Sequence, residues 1–123
     1  MSDAKLAQSV ANLGRALARL EEAVAQPESS SSLAVDGTIQ RFEFAIELFW
    51  KTLKRRLAIE GVETSTPRET LSAAFQAHWL DDETEWLNML HDRNRTSQIY
   101  DEKMARTIYV RIQRYAPVMR ATY

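Results

Sequence analysis

The apolar positions of the first 25 residues are Leu6, Val10, Leu13, Leu17, Leu20 and Val24, set in alternating steps of four and three. That spacing keeps them on one side of an α-helix and predicts a first helix over residues 3–25. The pattern breaks at Pro27, and the Glu28-Ser-Ser-Ser-Ser32 run after it is too polar to pack, so a mobile loop is expected over about 27–35. Ile39, Phe42, Ile46, Phe49, Leu53 and Leu57 repeat the helical spacing, with Asp36 or Thr38 available as N-cap and a stop at Gly61. Taken from residue 38 to residue 60, this second helix is roughly 34 Å long at about 1.5 Å per residue. Phe44, Leu48 and Trp50 lie off its main stripe, which predicts neighbours on more than one side.

Thr66-Pro67-Arg68-Glu69 is a helix start: a hydroxyl at the N-cap, proline at the first helical position and glutamate at the third. It opens a short third helix over about 67–78. Asp81 or Asp82 opens a fourth, in which Trp86, Leu87, Met89 and Leu90 follow acids suited to the positive end of the helix dipole. Met104, Ile108, Ile112, Tyr115 and Met119 align on a last helix over about 101–121, which Pro117 should bend or shorten. No strand pattern and no internal repeat is present. The expected fold class is all-α, an antiparallel up-down four-helix bundle with an additional short helix, built as a single domain over residues 1–123.

Composition agrees with helices, because only three glycines and three prolines interrupt 123 residues. There is no cysteine, so no disulfide framework is available. The N-terminal sequence lacks a signal-peptide pattern and no apolar run is long enough to span a bilayer, so a cytoplasmic protein without membrane contact is expected. Net charge is −1, too balanced for binding nucleic acid by bulk charge. The charge is nonetheless uneven: residues 91–123 carry 7 basic and 3 acidic side chains against 9 and 14 in residues 1–90, so the C-terminal quarter alone could attract a polyanion.

The densest chemistry is His91-Asp-Arg-Asn-Arg-Thr-Ser-Gln-Ile-Tyr100. Arg93 is its best phosphate ligand, since a guanidinium fork meets two oxygens and stays charged at every relevant pH. The alternative for Arg93 is a structural ion pair with Asp92 of the partner subunit, with Asp101 or with Glu102. Arg95 points about 200° away on a helix, so the two arginines do not share one pocket. Asn94, Thr96 and Ser97 could bind phosphate or ribose, or cap a helix end, with capping favoured for Thr96 and Ser97. Trp50, Phe42, Phe49 and Trp86 could stack on a base, but their stripe positions favour core packing. Lys51 and Lys54 read as a solvated face, and His78 as a charge at a helix end. Two histidines without cysteine or metal-ligand spacing give no metal site, and no glycine-rich phosphate loop, Walker motif or Rossmann fingerprint is present, so no cofactor is expected.

Three segments carry a resemblance: Ile39-Gln-Arg-Phe-Glu-Phe-Ala-Ile-Glu-Leu-Phe-Trp-Lys-Thr-Leu-Lys54, Thr66-Pro-Arg-Glu69 and Asp92-Arg-Asn-Arg-Thr-Ser-Gln-Ile-Tyr-Asp-Glu102. In this order and spacing, over about residues 39–112, they resemble the nucleotidyltransferase substrate-binding proteins of the HEPN group (higher eukaryotes and prokaryotes nucleotide-binding). The resemblance implies a helical bundle that forms a homodimer and acts with a cognate nucleotidyltransferase of the DNA-polymerase-beta superfamily. Many such pairs look like toxin-antitoxin modules, in which the HEPN partner is a metal-independent ribonuclease that the transferase modifies and silences. The family motif is Arg, four to six residues, His, one residue, Tyr. Arg93, residues 94–97, position 98 and Tyr100 match that frame, so the resemblance implies Arg93, Gln98 and Tyr100 as the site for nucleotide or RNA, and Tyr100 as the modified hydroxyl; Asn94 joins them as a candidate ligand by its own side chain, with capping as its equal alternative. Tyr100 could equally be a buried ring with its hydroxyl bonded.

Glutamine at position 98 departs from the motif. An imidazole can take a proton from a ribose 2′-hydroxyl and return it to a leaving oxygen, whereas a carboxamide holds an oxygen without titrating. Losing general acid-base catalysis costs about a hundredfold to ten-thousandfold in rate. His91, two helical turns or about 10 Å from position 98, does not replace it within one subunit. The favoured expectation is a binding partner subunit with little or no ribonuclease activity. The alternative is a ribonuclease whose dimer combines Arg93, Gln98 and His91 in a composite site, silenced by nucleotidylation at Tyr100. A helical scaffold with no small ligand is the third.

Overall fold

The computed structural model describes residues 2–27, 31–96 and 101–123. They form five helices, α1 (Ser2–Ala25), α2 (Ser32–Ile59), α3 (Pro67–Gln76), α4 (Glu83–Thr96) and α5 (Glu102–Thr122), and no strand occurs among the described residues. The all-helical expectation is thereby met.

The stripe of α1 buries Leu13, Leu17 and Leu20. The start of α2 differs from expectation. Its N-cap is Ser31, whose hydroxyl accepts from the Ala34 N–H at 3.4 Å, and neither Asp36 nor Thr38 caps it. Thr38 is buried inside the helix and donates its hydroxyl to the Ala34 carbonyl at 2.9 Å. The loop expected over 27–35 is correspondingly shorter, since residues 32–35 are helical and Val35 is buried. Serine is a weak helix former but a strong N-cap, and starting early adds Val35 to the core. Residues 28–30 lie outside the described residues.

Both α2 and α3 end in the same six-residue hydrogen-bond pattern. After α2, Gly61 donates to Ala58 and Val62 to Leu57; after α3, His78 donates to Phe75 and Trp79 to Ala74. The pattern needs a left-handed residue, supplied by Gly61 (φ 87°) and by His78 (φ 66°). Helix α3 starts as expected at Thr66, whose hydroxyl accepts from Glu69 N–H at 3.1 Å, while Glu69 reaches back to Ser65 N–H at 2.8 Å. It stops two residues earlier than expected because of the turn at His78. Asp82 accepts from Glu85 N–H at the head of α4, and Asp101 caps α5. Pro117 does not shorten α5, which continues to Thr122 with Met119 fully buried in its last turn.

The long α2 touches each of the other four helices, while α1 meets α2 and α5. Phe42, Ile46, Trp86, Met89, Ile108, Ile112 and Tyr115 are sealed in the centre. Phe42 stacks on Tyr115 at 5.6 Å between ring centroids, and Phe49 meets Trp86 edge-on at 4.7 Å. These contacts fix α4 and α5 against the middle of α2, and so place the end of α4 beside the N-terminal half of α2.

Candidate functional site

The last turn of α4 carries Asp92, Arg93, Asn94, Arg95 and Thr96, and the helical step of 100° sends them in different directions. Toward α2, an Nη of Arg93 donates to Oε1 of Glu47 at 2.9 Å. Glu47 is itself held by the indole N–H of Trp50 at 2.7 Å on its other oxygen, with Lys51 at 3.9 Å. The bond to Arg93 engages one terminal nitrogen of the fork, and the side chain keeps 33% exposure, so the guanidinium is oriented by α2 yet open to solvent. Thr96 Oγ1 donates toward Glu43, one turn before Glu47, and toward the Arg93 carbonyl.

Toward α5, Asp92 is 1% exposed. Its carboxylate accepts from the Tyr115 hydroxyl and from an Nη of Arg111 at 2.8 Å, with Arg95 at 4.0 Å. Burial, then the bond to Asp92, pushes the Tyr115 phenol well above its ordinary value. Two turns earlier on α4, Glu85 pairs with Arg114 through two nitrogens, and that hydrogen bond holds the Glu85 carboxyl below its ordinary value against the opposing effect of burial.

Between α2, the end of α4 and the start of α5 lies a cleft of about 400 Å³, with Ile39, Met104 and Ile108 among its apolar lining and Glu43, Thr96 and Asp101 at its polar edge. Arg93 does not line it. A second cleft, about 320 Å³, lies away from this joint among Leu6, Leu13, Phe49, Leu53 and Trp79. No cluster of three metal-ligating side chains occurs among the described residues.

This arrangement resolves several expectations. Arg93 is in an ion pair within the chain, with Glu47 on α2 rather than with Asp101 or Glu102. Arg93 and Arg95 diverge as their spacing requires, to Glu47 and to Asp92. Phe42, Phe49 and Trp86 are core residues, and Trp50 packs against the core with its N–H on Glu47. His91 and Asn94 are exposed on α4. Ser97, Gln98 and Tyr100 lie outside the described residues. What the sequence reading missed is the acceptor side: Glu43 and Glu47, one turn apart on α2, and Asp92 with Tyr115. The available signal was position, because Glu43 and Glu47 flank Phe42, Ile46 and Phe49 on a helix packed on several sides.

The protein is thus of the class of small helical domains whose ionic chemistry gathers where one helix end meets two others. Within that class the chain belongs to the family described as nucleotidyltransferase substrate binding protein like, whose model matches residues 8–123. It is 30% identical over 92 residues to a probable ribonuclease HepT from Haemophilus influenzae (strain ATCC 51907 / DSM 11121 / KW20 / Rd), a match spanning 71% of this chain and 63% of that relative. The chain thus covers less than two thirds of that relative's length. A crystal structure of a protein from Thermus thermophilus is similar throughout, with TM-score 0.83, 35% identity, and coverage of 89% of this chain and 94% of that one. No helix of the described residues is long and apolar enough to cross a membrane.

Proposed function

We propose that this protein is the binding partner subunit of a small nucleotidyltransferase, acting as a homodimer in a toxin-antitoxin-type pair in the cytoplasm, with little or no ribonuclease activity of its own. In this reading α1, α2, α4 and α5 form the up-down bundle and α3 is the additional short helix. The observation that carries it is Arg93, held on one edge by Glu47 and still a third exposed, in the family frame whose histidine position is Gln98. The guanidinium is pre-oriented to take a phosphate, while the amide at position 98 supplies no proton. Asn94 and Gln98 complete the nucleotide or RNA contact, and Tyr100 is the hydroxyl that the transferase modifies.

The name of the Haemophilus relative supports a second reading, a metal-independent ribonuclease with a composite dimer site using Arg93, Gln98 and His91, silenced at Tyr100. One experiment separates the two. Purified protein is incubated with total transfer RNA in a chelator, alone and after treatment with the transferase encoded beside it and a nucleoside triphosphate. The binding-subunit reading expects no 2′,3′-cyclic phosphate ends, and label on the wild type that is lost in Tyr100→Phe. Cyclic-phosphate ends that disappear in Arg93→Ala establish the ribonuclease; absence of both cleavage and label overturns both.

A further inference from the structure

We propose a second phosphate-binding position, on the α5 side of α4, formed by Arg95 and Arg111 around the buried carboxylate of Asp92. An Nη of each arginine lies within 4.0 Å of the same Asp92 oxygen, Arg111 at 2.8 Å and Arg95 at 4.0 Å. Both are partly exposed, 36% for Arg95 and 37% for Arg111, while Asp92 is 1% exposed. One buried carboxylate therefore faces two guanidinium groups that emerge side by side at the surface.

Charge balance along the seam shows why this pair is short of anion. Arg114 joins the same seam from α5, but Glu85 engages it through both carboxylate oxygens. Asp92 divides its capacity between Arg111 and the Tyr115 hydroxyl, which occupies its second oxygen. Three guanidinium groups thus stand against two carboxylates, and the unmatched charge falls on Arg95 and Arg111. Each guanidinium carries five N–H donors; Arg111 gives one to Asp92, and Arg95, at 4.0 Å, lies beyond hydrogen-bond distance of it, so most of both forks is left to be satisfied from outside. Phosphate oxygens match that planar donor set, and Arg pairs with phosphate more strongly and more directionally than lysine does. The tethering oxygen also pre-orients the Arg111 side chain, which lowers the ordering cost of binding.

The position goes beyond the Arg93 reading, since Arg93 leaves α4 toward α2 and Arg95 toward α5. The shared chemistry is phosphate, whether from an RNA strand or from a free nucleotide.

The test uses the full chain and two probes: a labelled oligouridine of about twenty nucleotides, followed by anisotropy over a salt series, and pyrophosphate, followed by the arginine Nε–Hε resonances. Arg95→Gln is the principal variant, because it leaves Asp92 with both of its close partners and the fold intact. Arg111→Lys is the second, keeping charge at Asp92 while removing the fork, and Arg93→Gln is the reference for the Arg93 site. For an RNA source, Arg95→Gln weakens oligouridine binding about fivefold at moderate salt and flattens the salt slope by about 0.7, the value of one lost phosphate contact on a single strand. For a free-nucleotide source, pyrophosphate shifts the Arg95 and Arg111 resonances and the oligouridine slope does not change. Wild-type slope and affinity in Arg95→Gln with no pyrophosphate shift at either arginine overturn the proposal. Loss confined to Arg93→Gln does the same while leaving the Arg93 reading standing; loss confined to Arg95→Gln has the converse meaning.

Discussion

At the scale of single residues, the decisive fact is that Asp92, next to Arg93, is a buried carboxyl group. Such a group persists only when hydrogen-bonded, and Tyr115 and Arg111 meet that need. Asp92→Ala leaves Arg111 and a buried hydroxyl without their acceptor and is expected to cost about 3–5 kcal/mol in urea denaturation. Tyr115→Phe removes one hydrogen bond to a charged group and should cost about 1.5–3 kcal/mol. The phenol also gives a pH signature whose sign follows from linkage. Its folded value lies above its unfolded value of about 10, so its contribution is complete below about pH 10 and is lost as pH climbs toward the folded value. Denaturation midpoints should therefore fall more steeply above about pH 10 in wild type than in Tyr115→Phe; parallel curves would count against a protonated, bonded phenol. On the α2 side, Glu47→Gln keeps the shape but removes the anion that orients Arg93. Stability should change by less than about 1 kcal/mol, since both side chains of the pair are about a third exposed. The Arg93 side chain should instead become mobile, seen as sharpening of its Nε–Hε resonance. None of these acceptors was legible in the sequence as part of the site, because an ion pair 46 residues apart is set by packing and leaves no local spacing to read.

At the scale of elements, much of the chain was legible and the errors were confined to ends. The α1 and α2 stripes, the Thr66 start, and the order of five helices follow from spacing, since burial of one face is what stabilises a helix in a protein. The start of α2 was misplaced because Asp36, Thr38 and the serine run all offer capping oxygens, and what decides among them is the tertiary burial of Val35. The end of α3 was misplaced for another reason. His78 carries no sequence mark of a left-handed residue, whereas Gly61 does the same task openly. That contrast is testable. A left-handed conformation costs a non-glycine residue about 1 kcal/mol or more, so His78→Gly should raise stability by about that amount and Gly61→Ala should lower it similarly. Both sites are exposed, so contacts contribute little and thermal melts read the backbone effect directly. A destabilised His78→Gly would mean that the imidazole makes a contact outweighing its backbone strain. Pro117 marks the limit of reading breakers: it interrupts the α5 ladder, yet the burial of Met119 carries the helix past it.

At the scale of the whole molecule, the last turn of α4 is wired to the core through one stack of side chains. Phe42, fully buried on α2, stacks on the Tyr115 ring of α5, and the Tyr115 hydroxyl reaches Asp92 in the last turn of α4. Three helices meet in that chain of contacts, and Arg93 and Arg95 both leave the helix turn it fixes. Phe42→Ala removes a large buried side chain and should cost about 3–5 kcal/mol, against less than about 0.5 kcal/mol for Leu33→Ala on the same helix, where the side chain is 82% exposed. The more informative consequence lies below the global transition. With the ring gone, Tyr115 gains freedom to leave Asp92, and the buried carboxylate then favours opening of the α4 end toward water. Amide exchange in the last turn of α4 should accelerate in Phe42→Ala beyond what the loss of global stability explains, while amides in the middle of α1 follow the global change alone. Uniform acceleration throughout would instead make the domain a single cooperative unit, in which the arginine-bearing turn holds its geometry until the entire core lets go.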